Sequence, residues 1–210
     1  MRRPRPARES RNPGVPMNPL LRSFLLELIP LLWLVWLLYW WLGAGHLKAV
    51  ARRESPLQGA SHGIPLVLAA LLFLLPGRDL GALAAPFMAR SWTGYGIGVV
   101  LVALGLAFAV QARRHLGANW SGTVTLKQEH SLIRSGPYRH IRHPIYTGIL
   151  LAFVGSALAL AEWRGVLAVL LAAMALIIKL RREERWMLQC FGADYAAYRK
   201  ASWALLPGLY

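Results

Sequence analysis

Two short stretches hold most of the side chains that could do chemistry: NWSGTVTLKQEHSLIRSGPYRHIRHPIY, residues 119–146, and KLRREERWMLQCFGADYAAYRK, residues 179–200. The first sets Tyr138, Arg139, His140, Arg142, His143 and Tyr146 against the start of an apolar run. Arginines in such a place commonly reach for lipid phosphates, so alone they mark only the shoulder of a membrane helix. His140 and His143 are three apart, but no cysteine lies beside them and Pro144 breaks the helical register, so no metal site is expected. Pro144 suits the first turn of a helix, whose free amides favour an anion such as a carboxylate. The second stretch carries the adjacent acids Glu183 and Glu184. At the end of an apolar helix two acids meet the negative pole of the macrodipole. Arg181, Arg182 and Arg185 can neutralise them, and a ligand bearing hydroxyls or a positive charge would give them a better reason.

The elements that must position these groups are membrane helices. Of 210 residues 56% are hydrophobic and 16% charged, and the apolar ones come in long blocks, which excludes an ordinary soluble domain. Nine tryptophans suit the headgroup level of a bilayer. The net charge of +15 clusters at the ends of apolar runs, which points to anionic lipid and away from nucleic acid. Cys190 stands alone, so there is no intrachain disulfide and no thiolate metal cluster. Residues 1–22 form an Arg- and Pro-rich tail expected to be disordered. The apolar run behind it is too long for a signal peptide and reads as a retained first span.

The pattern predicts an all-α integral membrane protein of about five transmembrane helices: 24–42, 57–75, 92–112, 145–161 and 166–180. The last two are short and joined by the turn EWRG, so they form a helical hairpin. The run 80–88, interrupted by Pro86, reads as an interfacial loop, and the chain beyond Gly192 as a short amphipathic C-terminal helix. The chain divides into the tail, helices over 23–112, and a functional region over 113–210. With five spans, one face receives three, six and six basic residues from 43–56, 113–144 and the segment from 179, and the other receives six, two and one. The positive-inside rule then puts the functional region and the C-terminal helix in the cytoplasm. The hairpin folds His143 and Pro144 back beside Lys179 to Glu184, gathering ionisable groups at a membrane boundary, where such groups usually line a cavity.

HSLIRSGPYRHIRHPIYTG at 130–148, an apolar hairpin, and EERWMLQCFGADYAAYRKASWALLPG at 183–208 together resemble the isoprenylcysteine carboxyl methyltransferase and phospholipid methyltransferase family of integral membrane enzymes. The resemblance covers about the C-terminal ninety residues, in order and at the family's spacing; the N-terminal hundred match only as generic membrane helices. It implies methyl transfer from S-adenosylmethionine to a lipid-like acceptor. Carried over, the cofactor-binding positions are His130, Ser131, Leu132, Ile133, Tyr138, His143, Pro144, Ile145, Tyr146 and Glu183, with Glu184 matching the second acid. Lys179, the substrate position, is a point charge where the animal prenylcysteine enzymes carry an arginine. Methyl transfer is an in-line displacement at a sulfonium, needing alignment and exclusion of water more than acid–base groups.

The acceptor stays open among a prenylcysteine carboxylate, a phospholipid amine and a small thiol. A carboxylate favours Lys179 and Arg142 as clamps, and an amine favours Glu184 as the group that takes its proton, so Arg142 and Glu184 are the candidate catalytic residues. The rival from another class is a small transporter or scaffold, which predicts charges buried in mid-span or paired broken helices. Apart from Glu27 near an edge, no expected span has a central charge.

Overall fold

Five apolar helices carry the chain in a computed structural model that describes residues 25–43, 50–117, 125–127 and 132–208. The tail expected over 1–22 lies outside the described residues. The helices are α1 (Leu28–Leu42), α2 (Pro56–Leu74), α3 (Trp92–Leu116), α4 (Pro144–Leu160) and α5 (Trp163–Lys200). A two-stranded antiparallel ribbon, β1 (Val50–Arg53) with β2 (Thr125–Lys127), was not foreseen; it ties the α1–α2 connection to the α3–α4 connection. Helices α2, α3 and α5 are long and apolar enough to cross a membrane. At 15 and 17 residues, α1 and α4 are shorter, reaching about 22 and 26 Å where a bilayer core needs about 30 Å. The multi-pass all-α architecture is therefore as expected, with three helices of spanning length in place of five. Leu34, Val35, Leu37, Val100, Leu104 and Leu170 are exposed along the outside, a surface suited to lipid and costly in water.

Helices α3 and α4 pack antiparallel at close range. A Cβ added to Gly105 would lie 2.5 Å from the Gly148 carbonyl oxygen, and one added to Gly98 would lie 2.6 Å from that of Gly155. Both glycine pairs are seven residues apart along their helices, so they fall on one stripe, and Val102, Ala109 and Ala152 fill the seam between and beside them. Apolar lipid gives two helices no hydrophobic reason to associate, so close backbone approach is what holds such a pair. Helix α1 leans on this unit through tryptophans: Trp33 donates to Ser156 Oγ at 3.0 Å, and its ring meets Phe153 edge-on. Arg113 of α3, buried in the structure, donates to the Trp40 carbonyl at 3.2 Å and caps the end of α1.

Helices α4 and α5 form the expected hairpin through Ala161 and Glu162 alone. Ala161 takes the left-handed conformation at φ 58, which is unfavourable for a residue with a Cβ. The neighbouring loop holds it there. Phe87 N donates to the Ala161 carbonyl at 3.0 Å and Trp163 N to that of Ala85 at 3.1 Å. Arg90 and Arg164 both bind Glu162, each at 2.5 Å, and Arg164 also donates to the Leu72 and Leu75 carbonyls at the end of α2. The run 80–88 is thus a loop with one short 3-10 turn, Gly81–Ala84, closed against the hairpin tip.

The second arm of the hairpin continues past the apolar run that ends at Leu180; α5 breaks at Gly192, with φ 49 and ψ −120, and a short helical stretch follows to Lys200. Charged residues need not end a helix, because Lys, Arg and Glu are good helix formers in water. Glu183 and Glu184 therefore sit inside a continuous helix, and the opposing dipole expected of a helix end does not act on them.

Candidate functional site

The lead-in to α4 is built by three local features. Gly136 takes φ 57, and a Cβ there would come within 2.7 Å of the His115 ring. A single 3-10 turn, Gly136–Arg139, then buries Tyr138, whose hydroxyl donates to the Ala112 carbonyl at 3.4 Å while its ring stacks on His115. Burial, reinforced by the Glu183 charge, pushes the Tyr138 pKa up, so its hydroxyl stays a neutral donor. Next, Arg142 N donates to the Trp203 carbonyl at 2.8 Å and His143 N to that of Ala204 at 3.0 Å. Thr147 Oγ1 donates to the Leu205 carbonyl at 2.7 Å. The chain beyond α5 thus straps the start of α4 in place.

Around that start the two acids of α5 meet separate partners. Tyr146 donates to Glu183 Oε1 at 2.6 Å, and His143 Nδ1 lies 3.5 Å from Glu183 Oε2. The His143 and Tyr146 rings are parallel with centroids 5.3 Å apart, and the Lys179 ammonium stands 5.5 Å from the Tyr146 ring. Glu184 accepts from Arg142 Nε at 2.7 Å and pairs with Arg199 Nε at 3.3 Å. Arg142 also donates to the Arg199 carbonyl at 3.1 Å and to the Ser202 carbonyl. Glu184 is therefore engaged by two guanidinium groups, and Arg142 is a buried latch between α4, α5 and the strap, not a side chain reaching for lipid phosphate.

His143 is the centre of the arrangement. Burial by itself would push its pKa down, but the approach of Glu183 and Glu184 outweighs this and holds it above the ordinary value of 6.5. Its Nε2 is buried and makes no hydrogen bond, although Glu184 Oε1 lies 3.5 Å away. A buried donor without a partner is costly, and in a site it marks a place where a ligand acceptor fits.

Of the positions expected from sequence, His143, Tyr146, Lys179, Glu183, Glu184 and Arg142 come together. Pro144 and Ile145 are buried at the base of α4. Ile133 packs on Ala109, Ala112 and Tyr138, beside the half-buried Leu132. His130 and Ser131 lie outside the described residues. His140 is exposed while the His143 side chain is 10% exposed, and no group of three or more candidate metal ligands occurs among the described residues. Sequence reading missed Arg199, the strap and a second charged group on α2. There, Arg182 donates to Glu54 Oε2 at 2.9 Å, to the Gln58 carbonyl at 2.7 Å and to Ser61 Oγ at 3.2 Å. Ser55, Pro56 and Gln58 form a capping box with proline at the first position, the one local signal that could have placed Glu54 at a helix start.

The phospholipid methyltransferase family matches residues 93–194. A probable protein-S-isoprenylcysteine O-methyltransferase of Oryza sativa subsp. japonica is 28% identical over 181 residues, covering 80% of this chain and 95% of that protein. The protein-S-isoprenylcysteine O-methyltransferase of Dictyostelium discoideum is 23% identical over 124 residues, covering 58% of this chain; the chain spans 52% of that relative's length. Among solved structures, the eukaryotic intramembrane Ras methyltransferase, an isoprenylcysteine carboxyl methyltransferase, matches with a TM-score of 0.55 at 23% identity. The match covers 75% of this chain and 55% of that one, a likeness of fold.

Proposed function

This chain belongs to the family of integral-membrane methyltransferases that includes the phospholipid and isoprenylcysteine enzymes, and we propose that it transfers the methyl group of S-adenosylmethionine to a lipid-like acceptor, most like carboxyl methylation of a prenylated cysteine. The observation that carries the reading is the convergence of His143, Tyr146 and Glu183 at the α4–α5 boundary, with a buried imidazole nitrogen that makes no hydrogen bond and has only Glu184 Oε1 at 3.5 Å.

The residues present fit the cofactor. Glu183 can accept hydrogen bonds from ribose hydroxyls or an amino group, and His143, favoured as imidazolium, can donate to a carboxylate. The faces of Tyr138 and Tyr146 can wall the adenine or the sulfonium. His130, Ser131, Leu132, Ile133, Pro144 and Ile145 complete the proposed cofactor positions. When bound, S-adenosylmethionine supplies an electrophilic methyl group on a positively charged sulfur. The protein's work is then alignment and exclusion of water. Arg142 and Glu184 lock α4 to α5, so the groups facing the cofactor are pre-positioned. Lys179 stands beside the Tyr146 ring, where a cation can hold an acceptor carboxylate. A site at the end of the spanning helices, facing the cytoplasm, lets a water-soluble cofactor and a membrane-borne acceptor meet.

The family match favours a second acceptor, a phospholipid amine. That reading needs a proton-accepting group, and Glu184 is held by Arg142 and Arg199. The two are separated by incubating membranes with methyl-labelled cofactor and sorting the label: base-labile carboxyl ester supports the first, and label on lipid amine the second. Purified protein that neither binds S-adenosylmethionine nor gains thermal stability from it refutes both.

A further inference from the structure

One buried charged cluster takes no part in the chemistry just described. It is built by Glu54 just before α2, the first two turns of α2 and one residue of α5. Glu54, only 4% exposed at its side chain, pairs with Arg182 at 2.9 Å and faces His62 Nε2 at 3.6 Å. Arg182 Nη1 lies 3.4 Å from His62 Nδ1. A guanidinium can only donate, so in that contact Nδ1 faces a donor. Burying three such groups carries a desolvation penalty that an apolar contact between two membrane helices would avoid.

The position of the cluster gives it a use. Arg182 precedes Glu183 and lies one helical turn after Lys179, so all three share one side of α5. The Lys179 ammonium stands 5.5 Å from the Tyr146 ring, and Glu183 accepts from the Tyr146 hydroxyl at 2.6 Å. The α2 cluster and the α4–α5 cluster are thus neighbours joined by one short piece of α5.

We infer that Glu54 and His62 are positioning residues of the transferase site, acting through Arg182 to fix the rotation of α5 that aims Glu183 at Tyr146 and sets Lys179 over the same ring. The start of α2 then forms one wall of a site whose sequence signature lies wholly in the C-terminal half of the chain. The inference rests on the reading that this site binds S-adenosylmethionine.

The test is calorimetric titration of S-adenosylmethionine into the full-length protein in detergent micelles, paired with thermal unfolding. Glu54→Gln is expected to weaken cofactor binding by about tenfold, and His62→Leu by about fivefold. His62→Asn, whose Oδ1 can accept from Arg182 as Nδ1 does, should bind within about twofold of wild type. The double variant Glu54→Gln/Glu183→Gln should bind no more weakly than Glu183→Gln alone, because the first residue acts through the second. A Glu54→Gln protein with a lowered melting temperature but unchanged affinity overturns the positioning role, as do independent, multiplying losses in the double variant. Should Glu54→Gln not fold, the contrast between His62→Leu and His62→Asn decides: equal affinities overturn the role. Wild-type protein that fails to bind the cofactor overturns the transferase reading itself, a result distinct from any of these.

Discussion

Two glycines of α3 should respond to the same substitution in opposite directions. At Gly105 an added methyl would stand 2.5 Å from the Gly148 carbonyl oxygen and 2.8 Å from the Ala152 nitrogen. Both are backbone atoms of α4, so the clash cannot be relieved by turning a side chain; the helices must separate. At Gly96, on the exposed side of the same helix, nothing lies within 4 Å of the added methyl. Overpacking of this kind costs about 1–3 kcal/mol. At Gly96 only the helix propensity term acts, and it favours alanine by up to about 1 kcal/mol. The propensity term is common to both sites, so Gly105→Ala should unfold about 1–3 kcal/mol more easily than Gly96→Ala. For a chain of this size, about 2 kcal/mol corresponds to about 4–8 °C in melting temperature. Thermal unfolding in one detergent measures the difference directly. Cofactor affinity should fall in Gly105→Ala as well, because α4 carries His143 at its start. Equal melting temperatures for the two variants would refute the close-packed seam.

Three further outcomes follow from the site and the hairpin tip. Glu183→Gln should weaken S-adenosylmethionine binding by about 10–30-fold, the difference between charged and neutral hydrogen bonds, and titration with unchanged affinity would remove Glu183 from the site. Because the His143 pKa is raised above 6.5 by the two acids, its contribution to stability is fully present below that value and is lost as pH rises through the raised one. The melting temperature should thus decline with increasing pH above about 6.5, and His143→Gln should flatten that decline. Arg164→Gln removes a buried partner of Glu162 and two donors to α2 carbonyls. It should cost about 3 kcal/mol of stability while cofactor affinity stays within about twofold, since the tip lies at the far end of α5.

How much of this was legible in the chain depends on the range of the contacts. The apolar blocks and the short EWRG turn were enough to fold α4 back on α5, and that alone brings His143 and Tyr146 to Glu183. The interruption of α5 is also legible, since Phe191-Gly192 followed by an amphipathic stretch reads as a helix end and a short second helix, and the backbone breaks at Gly192, eight residues beyond Glu184. The Glu54–His62–Arg182 cluster joins residues more than a hundred positions apart. No local period or spacing encodes such a contact; only the antiparallel docking of α2 on α5 creates it. The glycine seam is likewise a property of two helices together, since Gly98 and Gly105 mean nothing until Gly155 and Gly148 lie opposite.

The docking of α2 on α5 also sets a length. Arg164 grips the carbonyls that end α2, and Arg182 grips a carbonyl and side chains in its first turns. Eighteen residues of α5 separate these two anchors, against fourteen and seventeen between Gln58 and the carbonyls of Leu72 and Leu75, so the helices are commensurate and cannot slide past each other without releasing both ends. The pair behaves as a ruler of fixed span. In a bilayer thicker or thinner than that span, the lipid has to stretch, compress or let the whole body tilt, and the mismatch energy falls on the membrane and not on the geometry around Glu183.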